Sequence, residues 1–245
     1  MRLDRFLAAS ALGSRSEVKE LVRAGRVRVD GVPAKDPGQQ ISETDSKIAL
    51  DGVEVAYRPH RYLMLFKPEG YVSSTEEAGS PTVLDLIPEP FRKLGLFPCG
   101  RLDKSTTGLV LLTDDGPLAH QLLSPKNRVE KEYRFEVKYP LSDEDTAALA
   151  AGVPLRADSR APEWRSAPCR LEADPGRRSG SIVLTEGKYH EIKRMMEAVH
   201  NQITALRRVS FAGVRLDPAL RPGEWRDLTQ EETETLRLAG GEPRR

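Results

Sequence analysis

Cysteine is nearly missing: the 245-residue chain has two, Cys99 and Cys169, far apart and without CxxC spacing. A disulfide framework and a thiolate zinc site are thereby excluded as organising devices, and a reducing cytoplasm is the expected setting. Net charge is nearly missing too. The 38 Lys and Arg stand against 37 Asp and Glu, leaving +1, so only local clustering can point to a nucleic-acid partner. No apolar run approaches the roughly 18 residues of a membrane span. The opening MRLDRFLAAS also lacks the basic-then-apolar layout of a secretory leader, so no membrane partner is expected. There is no G-x-x-x-x-G-K-S/T phosphate loop and no G-x-G-x-x-G dinucleotide turn. His190-Glu191 starts a zinc-protease pattern, but Arg194 stands where its second histidine is required, and His60, His120 and His200 have no ligand spacing. Neither a metal nor a cofactor is expected.

What is present is enough apolar residue, 38%, to bury a core. Residues 1–58 read as a small separate unit with its linker. Ser14 and Glu17 form an S-x-x-E capping box that starts a helix, with Val18, Leu21 and Val22 on one face and Gly25 as its stop. An alternating strand at Arg26 to Val29 then turns at Asp30-Gly31, and a further strand is expected near Lys47 to Leu50. Arg2, Arg5, Arg15, Lys19, Arg23, Arg26 and Arg28 outnumber Asp4, Glu17 and Glu20 by four. Such a surface can follow a phosphate backbone without reading base edges, although a solvated helix face has the same composition.

Residues 59–240 read as one larger domain, with 241–245 as a disordered tail. Strands are expected at Tyr62 to Phe66, Leu109 to Thr113, Lys131 to Lys138 and Ser181 to Thr185, forming a mixed sheet. Helices are expected after Asp114-Asp115-Gly116 and after Ser142. The informative stretch is Gly100-Arg101-Leu102-Asp103 through Gly116: a polar loop feeding a buried strand, which fixes one carboxylate beside a rigid sheet. Asp114 and Asp115 sit together before a helix, where capping is favoured over a paired-acid site. An amphipathic helix carries His190, Lys193 and Arg194 at i, i+3 and i+4, spaced to share a cleft edge.

This stretch resembles the signature of pseudouridine synthases, in the branch that modifies ribosomal RNA. Tyr62 to Thr75 and Glu186 to Met195 supply further blocks similar to that family, and Arg2-Leu3-Asp4-Arg5-Phe6 through Gly31 resembles the S4-like RNA-binding module attached to this branch. The resemblance implies an α+β protein: a small αβ S4-like domain followed by a catalytic domain built on a mixed, largely antiparallel sheet. It implies conversion of uridine to pseudouridine without a cofactor. The C1′–N1 glycosidic bond breaks, the base turns, and C1′ joins C5. By resemblance Asp103 is catalytic, either attacking the sugar or removing its 2′ proton.

Lys193 aligns with a basic position of the family and favours an ionised Asp103, its other role being an ion pair or phosphate contact. Tyr133 matches the active-site tyrosine that stacks on an extruded uracil, with core packing beside Phe135 and Val137 as the alternative. Arg101 either fills the place of the flipped nucleotide, binds a phosphate or positions the loop. His190 and Arg194 join the RNA-contact set. The expected substrate is 16S ribosomal RNA or a small-subunit assembly intermediate, at a uridine of the 516 type, with the chain acting as a monomer. The alternatives are a 23S-directed enzyme of the same branch and a noncatalytic RNA-binding assembly protein.

Overall fold

The computed structural model describes residues 1–10, 12–55, 59–157, 159 and 162–241. The expected tail lies outside them apart from Gly241, as do residues 56–58 at the expected domain junction. The chain divides into two compact units, Met1–Arg61 with Ile87–Leu96, and Tyr62–Leu86 with Phe97–Arg245. The segment 87–96, expected within the second domain, is thus grouped with the first.

In the first unit, α1 (Leu3–Ala9) precedes α2 (Arg15–Arg23), which opens on the Ser14/Glu17 capping box. A four-stranded sheet follows from β1 (Val27–Val29), β2 (Val32–Pro33), β3 (Ile48–Leu50) and β4 (Val53–Glu54), in the order β2-β1-β3-β4. The β1–β2 hairpin turns through Asp30 and Gly31 at φ of 53° and 81°, the doubly left-handed geometry that matches strand twist. Leu3, Phe6, Leu7, Val18, Val22, Val27 and Ile48 make its core. The first helix was not expected from sequence: its N-cap Arg2 makes no capping bond, so no start signal marks it. A short helix, α3 (Glu89–Arg92), belongs to the same unit.

The second unit is built on a nine-stranded mixed sheet. Its elements in chain order are β5 (Tyr62–Lys67), β6 (Phe97–Cys99), β7 (Thr107–Thr113), α4 (Gly116–Leu123), β8 (Lys131–Val137) and α5 (Asp143–Ala151). A separate two-stranded ribbon, β9 (Pro154–Leu155) and β10 (Trp164–Arg165), precedes β11 (Arg170–Ala173) and β12 (Ser179–Leu184). After α6 (Glu191–Ala198) come β13 (Ile203–Phe211), β14 (Val214–Arg215), β15 (Trp225–Asp227) and α7 (Gln230–Ala239). The sheet runs β11-β12-β8-β13-β7-β5-β15, with β6 on β7 and β14 on β13.

The architecture is α+β. Asp115 caps α4 by accepting from the Leu118 amide at 3.0 Å, and it also accepts from the Tyr62 hydroxyl at 2.6 Å. That pairing and burial together push the Tyr62 phenol up, as expected for a hydroxyl donating to a buried acceptor. Strand β13, the longest, was not anticipated from Ile203-Thr204-Ala205-Leu206-Arg207-Arg208. It occupies the middle of the sheet, parallel to β7 and antiparallel to β8.

Close approach of β7 to β13 requires Gly108. At φ 107°, a Cβ on Gly108 would stand 2.2 Å from the Arg208 carbonyl oxygen and 2.7 Å from its nitrogen. Gly108→Ala is therefore expected to lower stability by about 1–3 kcal/mol, read as a reduced urea midpoint with unchanged slope. A wild-type midpoint would show that the two strands separate without cost.

Candidate active site

Asp103 lies in the loop between β6 and β7, and three groups from the Lys67–Ser73 segment hold that loop. Lys67 has no exposed surface; its Nζ donates to the carbonyls of Thr106 at 2.7 Å, Pro68 at 3.1 Å and Lys104 at 3.2 Å. The Gly70 amide donates to the Lys104 carbonyl at 2.9 Å. Ser73 receives the Leu102 amide at 3.1 Å and returns its hydroxyl to the Leu102 carbonyl at 3.3 Å. The two blocks picked out from sequence are therefore hydrogen-bonded to each other. Burial pulls the Lys67 ammonium down to about 8, against the attraction of Asp103 and Glu69.

From the other side, α6 brings Lys193, whose Nζ stands 2.7 Å from Asp103 Oδ2 and donates to Ser105 Oγ at 3.0 Å. His190 Nε2 is 3.5 Å from Asp103 Oδ1. His190 is a non-glycine residue at φ 50°, immediately before α6, and its ring stacks on Tyr189 at 3.9 Å and 18°. Left-handed backbone of this kind is costly and persists where the surroundings impose it. Arg101, Asp103, Tyr133, Lys188 and His190 line a cleft of about 800 Å³, and Lys193 and Leu206 line a smaller recess that shares Asp103 and Tyr133. Tyr133 is buried in β8 with its side chain on the cleft wall.

A carboxylate ion-paired to lysine in a cleft with an aromatic wall suits attack on, or proton removal from, a sugar beneath a stacked base. The sequence pattern defining RNA pseudouridylate synthases matches residues 61–198. The chain belongs to that family.

The S4 domain pattern matches residues 1–46. An RNA pseudouridine synthase of Bacillus subtilis, named as uncharacterised, is 44% identical over 239 residues, covering 96% of this chain and 98% of the relative. Ribosomal small subunit pseudouridine synthase A of Yersinia pestis is 40% identical over 233 residues, covering 95% and 96%. A crystal structure described as pseudouridylate synthase superposes with a TM-score of 0.67 at 34% identity, covering 96% of this chain and 99% of that one. This chain is therefore an RNA pseudouridine synthase with an N-terminal S4 domain. No helix among the described residues is long and apolar enough to cross a membrane.

Within this family member the sequence-selected cations fall into two groups. Arg2, Arg23 and Arg26 are ion-paired with Asp4, Glu20 and Asp51, whereas Arg5, Arg15, Lys19 and Arg28 pair with no carboxylate among the described residues. Arg28 donates to the Gly31 carbonyl at 2.9 Å. Arg101 is exposed at the cleft. Arg194 corrects the expectation of a shared cleft edge: it is buried, donates to the Arg156 carbonyl and lies 4.0 Å over the Trp164 ring. Lys193 faces Asp103, whereas Arg194, the next residue along α6, packs against Trp164 and the Arg156 carbonyl instead.

Sequence reasoning missed three features. Lys67 was read only as part of a family block, and nothing in an apolar strand end marks a lysine as buried. Nothing in the sequence marked Arg208 for burial, yet it is 1% exposed. The third is a carboxyl pair at the start of α6. Glu191 Oε2 accepts from the Lys188 amide at 2.9 Å, and Glu186 accepts from the Ala167 amide at 2.8 Å and lies 3.0 Å from Lys188 Nζ. The two carboxyls influence one another, and Glu191 Oε1 is buried without a hydrogen-bond partner among the described residues. Burial first, then Glu186, pushes Glu191 up. Against its own burial, the neighbouring Glu191, the Ala167 amide and Lys188 hold Glu186 down.

Two outcomes follow. Lys67→Met leaves carbonyls of the Asp103 loop without their donor, at about 1–3 kcal/mol for a stranded buried acceptor. A lower melting temperature and a kcat reduced by about tenfold or more are expected with RNA affinity retained. Unchanged kcat would show that the loop holds its shape without the ammonium. A carboxyl whose folded value is raised contributes stability that is full below its ordinary 4.5 and is lost as pH rises toward neutrality. The melting temperature of the wild type should therefore decline over that window more than that of Glu191→Gln, which keeps a neutral donor. Parallel profiles in scanning fluorimetry would contradict the upward shift at Glu191.

Proposed function

We propose that this pseudouridine synthase acts on 16S ribosomal RNA, as naked RNA or within an assembling small subunit, at a uridine of the 516 type. In this reading Asp103 reacts at the sugar, Tyr133 stacks on the extruded uracil, and Lys193 holds Asp103 in place while balancing its charge. The ion pair between Asp103 and Lys193, set at 2.7 Å in a cleft walled by Tyr133, is the observation that carries it. The small-subunit target is supported by relatives matched end to end and named for that subunit. Arg5, Arg15, Lys19 and Arg28, which lack carboxylate partners among the described residues, supply a sequence-independent grip on RNA phosphates. Arg101 fills the gap left by the flipped nucleotide, and His190 contacts RNA at the cleft edge. In this reading the chain acts as a monomer.

The test compares wild type with Asp103→Asn on unmodified 16S and 23S RNA and on partial small-subunit particles, with product mapped at nucleotide resolution. The expected result is pseudouridine in 16S RNA for wild type and a loss of at least about 10³-fold for Asp103→Asn, with binding within a few-fold. Product confined to 23S RNA would redirect the substrate assignment. Turnover by Asp103→Asn would remove Asp103 from its role.

A further inference from the structure

On strand positions that face away from the cleft, arginines are matched with carboxylates: Arg134 with Asp174, Arg170 with Glu130 and Arg215 with Glu132. Two cations lining the cleft are not. Arg208 is 1% exposed. Its Nε donates to the Leu109 carbonyl at 2.8 Å, its guanidinium lies 5.0 Å from the Phe211 ring centre, and its Nη2 is buried with no acceptor. Lys131 Nζ reaches the Val129 carbonyl at 2.8 Å and lies 5.7 Å from the same ring. Neither forms an ion pair among the described residues. Burial, then the nearby Arg208, holds the Lys131 ammonium below its ordinary value, with Glu191 the main opposing influence.

A buried guanidinium without a counter-charge is expensive, and a site that keeps one is preorganised for negative charge that arrives or develops there. Arg208 stands directly opposite Tyr133 in the β13–β8 antiparallel pair, which places the two side chains on one face with Cα atoms roughly 4.5–5.5 Å apart. A base stacked on Tyr133 therefore turns an edge toward the guanidinium. A phosphodiester, with a sugar on either side and its own hydration, fits poorly against a cation buried this deeply; the flat edge of a base fits well.

We propose that Arg208, backed by Lys131, stabilises the negative charge on the uracil while the base is detached from its ribose, an assignment that rests on the uridine-isomerising reading above. When the C1′–N1 bond breaks, its electron pair leaves with N1, and the charge spreads to O2 and O4. The sugar is balanced either by a new C1′–O bond to Asp103 or by transfer of the 2′ proton to Asp103. After rotation, C5 supplies the pair that bonds C1′ and Asp103 is released in its starting form. The C5 proton is then lost and N1 regains one. The base thus carries a full negative charge only between the two bond events. A cation placed there lowers that barrier without tightening the ground state.

The experiment uses the full chain with Arg208→Met, Arg208→Lys and Lys131→Met, on ribosomal RNA carrying uridine or 5-fluorouridine at the target. Removal of one such stabilising group is expected to lower kcat about 10²–10³-fold, with less loss for Arg208→Lys and Lys131→Met and with KM nearly unchanged. Fluorine makes the departing base a more stable anion, so consumption of 5-fluorouridine should suffer markedly less from each substitution than consumption of uridine. Equal losses on the two substrates would overturn the assignment. So would a raised KM with unchanged kcat and a shallower salt dependence, which identifies a backbone phosphate site. Should Arg208→Met fail to fold by circular dichroism, the ratio between substrates is read on the other two variants. Wild-type protein that makes no pseudouridine would instead refute the underlying reading.

Discussion

One fully buried ammonium organises the catalytic loop. Lys67 spends its donors on three main-chain carbonyls, two of them within the Asp103 loop. Backbone carbonyls are fixed dipoles that a folded chain must satisfy, and a lysine at the end of a central strand satisfies several at once. The same contacts bring a positive charge beneath Asp103, and the attraction between them opposes the burial that weakens the lysine. Loop shape and local electrostatics therefore depend on the same side chain. Ser73 and Gly70 add bonds from the same segment, so the carboxylate is positioned by a strand end and not by its own loop.

The second unit divides its charges by face. On outward positions, arginine and carboxylate neutralise one another across neighbouring strands, in exposed pairs that contribute little stability. In the cleft, by contrast, Lys193 and Lys188 are paired with Asp103 and Glu186, while Arg208 and Lys131 form no ion pair among the described residues. This asymmetry explains how a chain with a net charge of +1 offers an electropositive surface to RNA: the field comes from where the pairs are absent.

Much of the local structure was legible because its causes are local. The Ser14 and Ser142 capping boxes, the Asp30-Gly31 turn and the alternation Tyr133, Phe135, Val137 each depend on neighbouring residues, and each element formed with boundaries within one or two residues of expectation. Strand β13 was not legible, because its sequence mixes arginines into an apolar alternation and reads as surface. Those arginines are tolerated by long-range arrangements: Arg208 inserts toward the Leu109 carbonyl of a strand 99 positions away, and Arg207 lies 5.2 Å from the Phe66 ring. The helix at Leu3–Ala9 was missed for the opposite reason, lacking any capping signal while its apolar face is consumed by the first unit's core.

Motif blocks in the sequence determined the family and drew attention to Asp103, since such blocks and caps are properties of short stretches. Which cations face RNA, which are neutralised and which are sealed inside was decided by the folded arrangement. Burial and ion pairing are relations between residues distant along the chain: Asp103 meets Lys193 only because α6 returns beside the β6–β7 loop, and Arg194 is buried where α6 meets Trp164 and the Arg156 carbonyl. No count of charges contains that information, because it depends on which surfaces the sheet brings together.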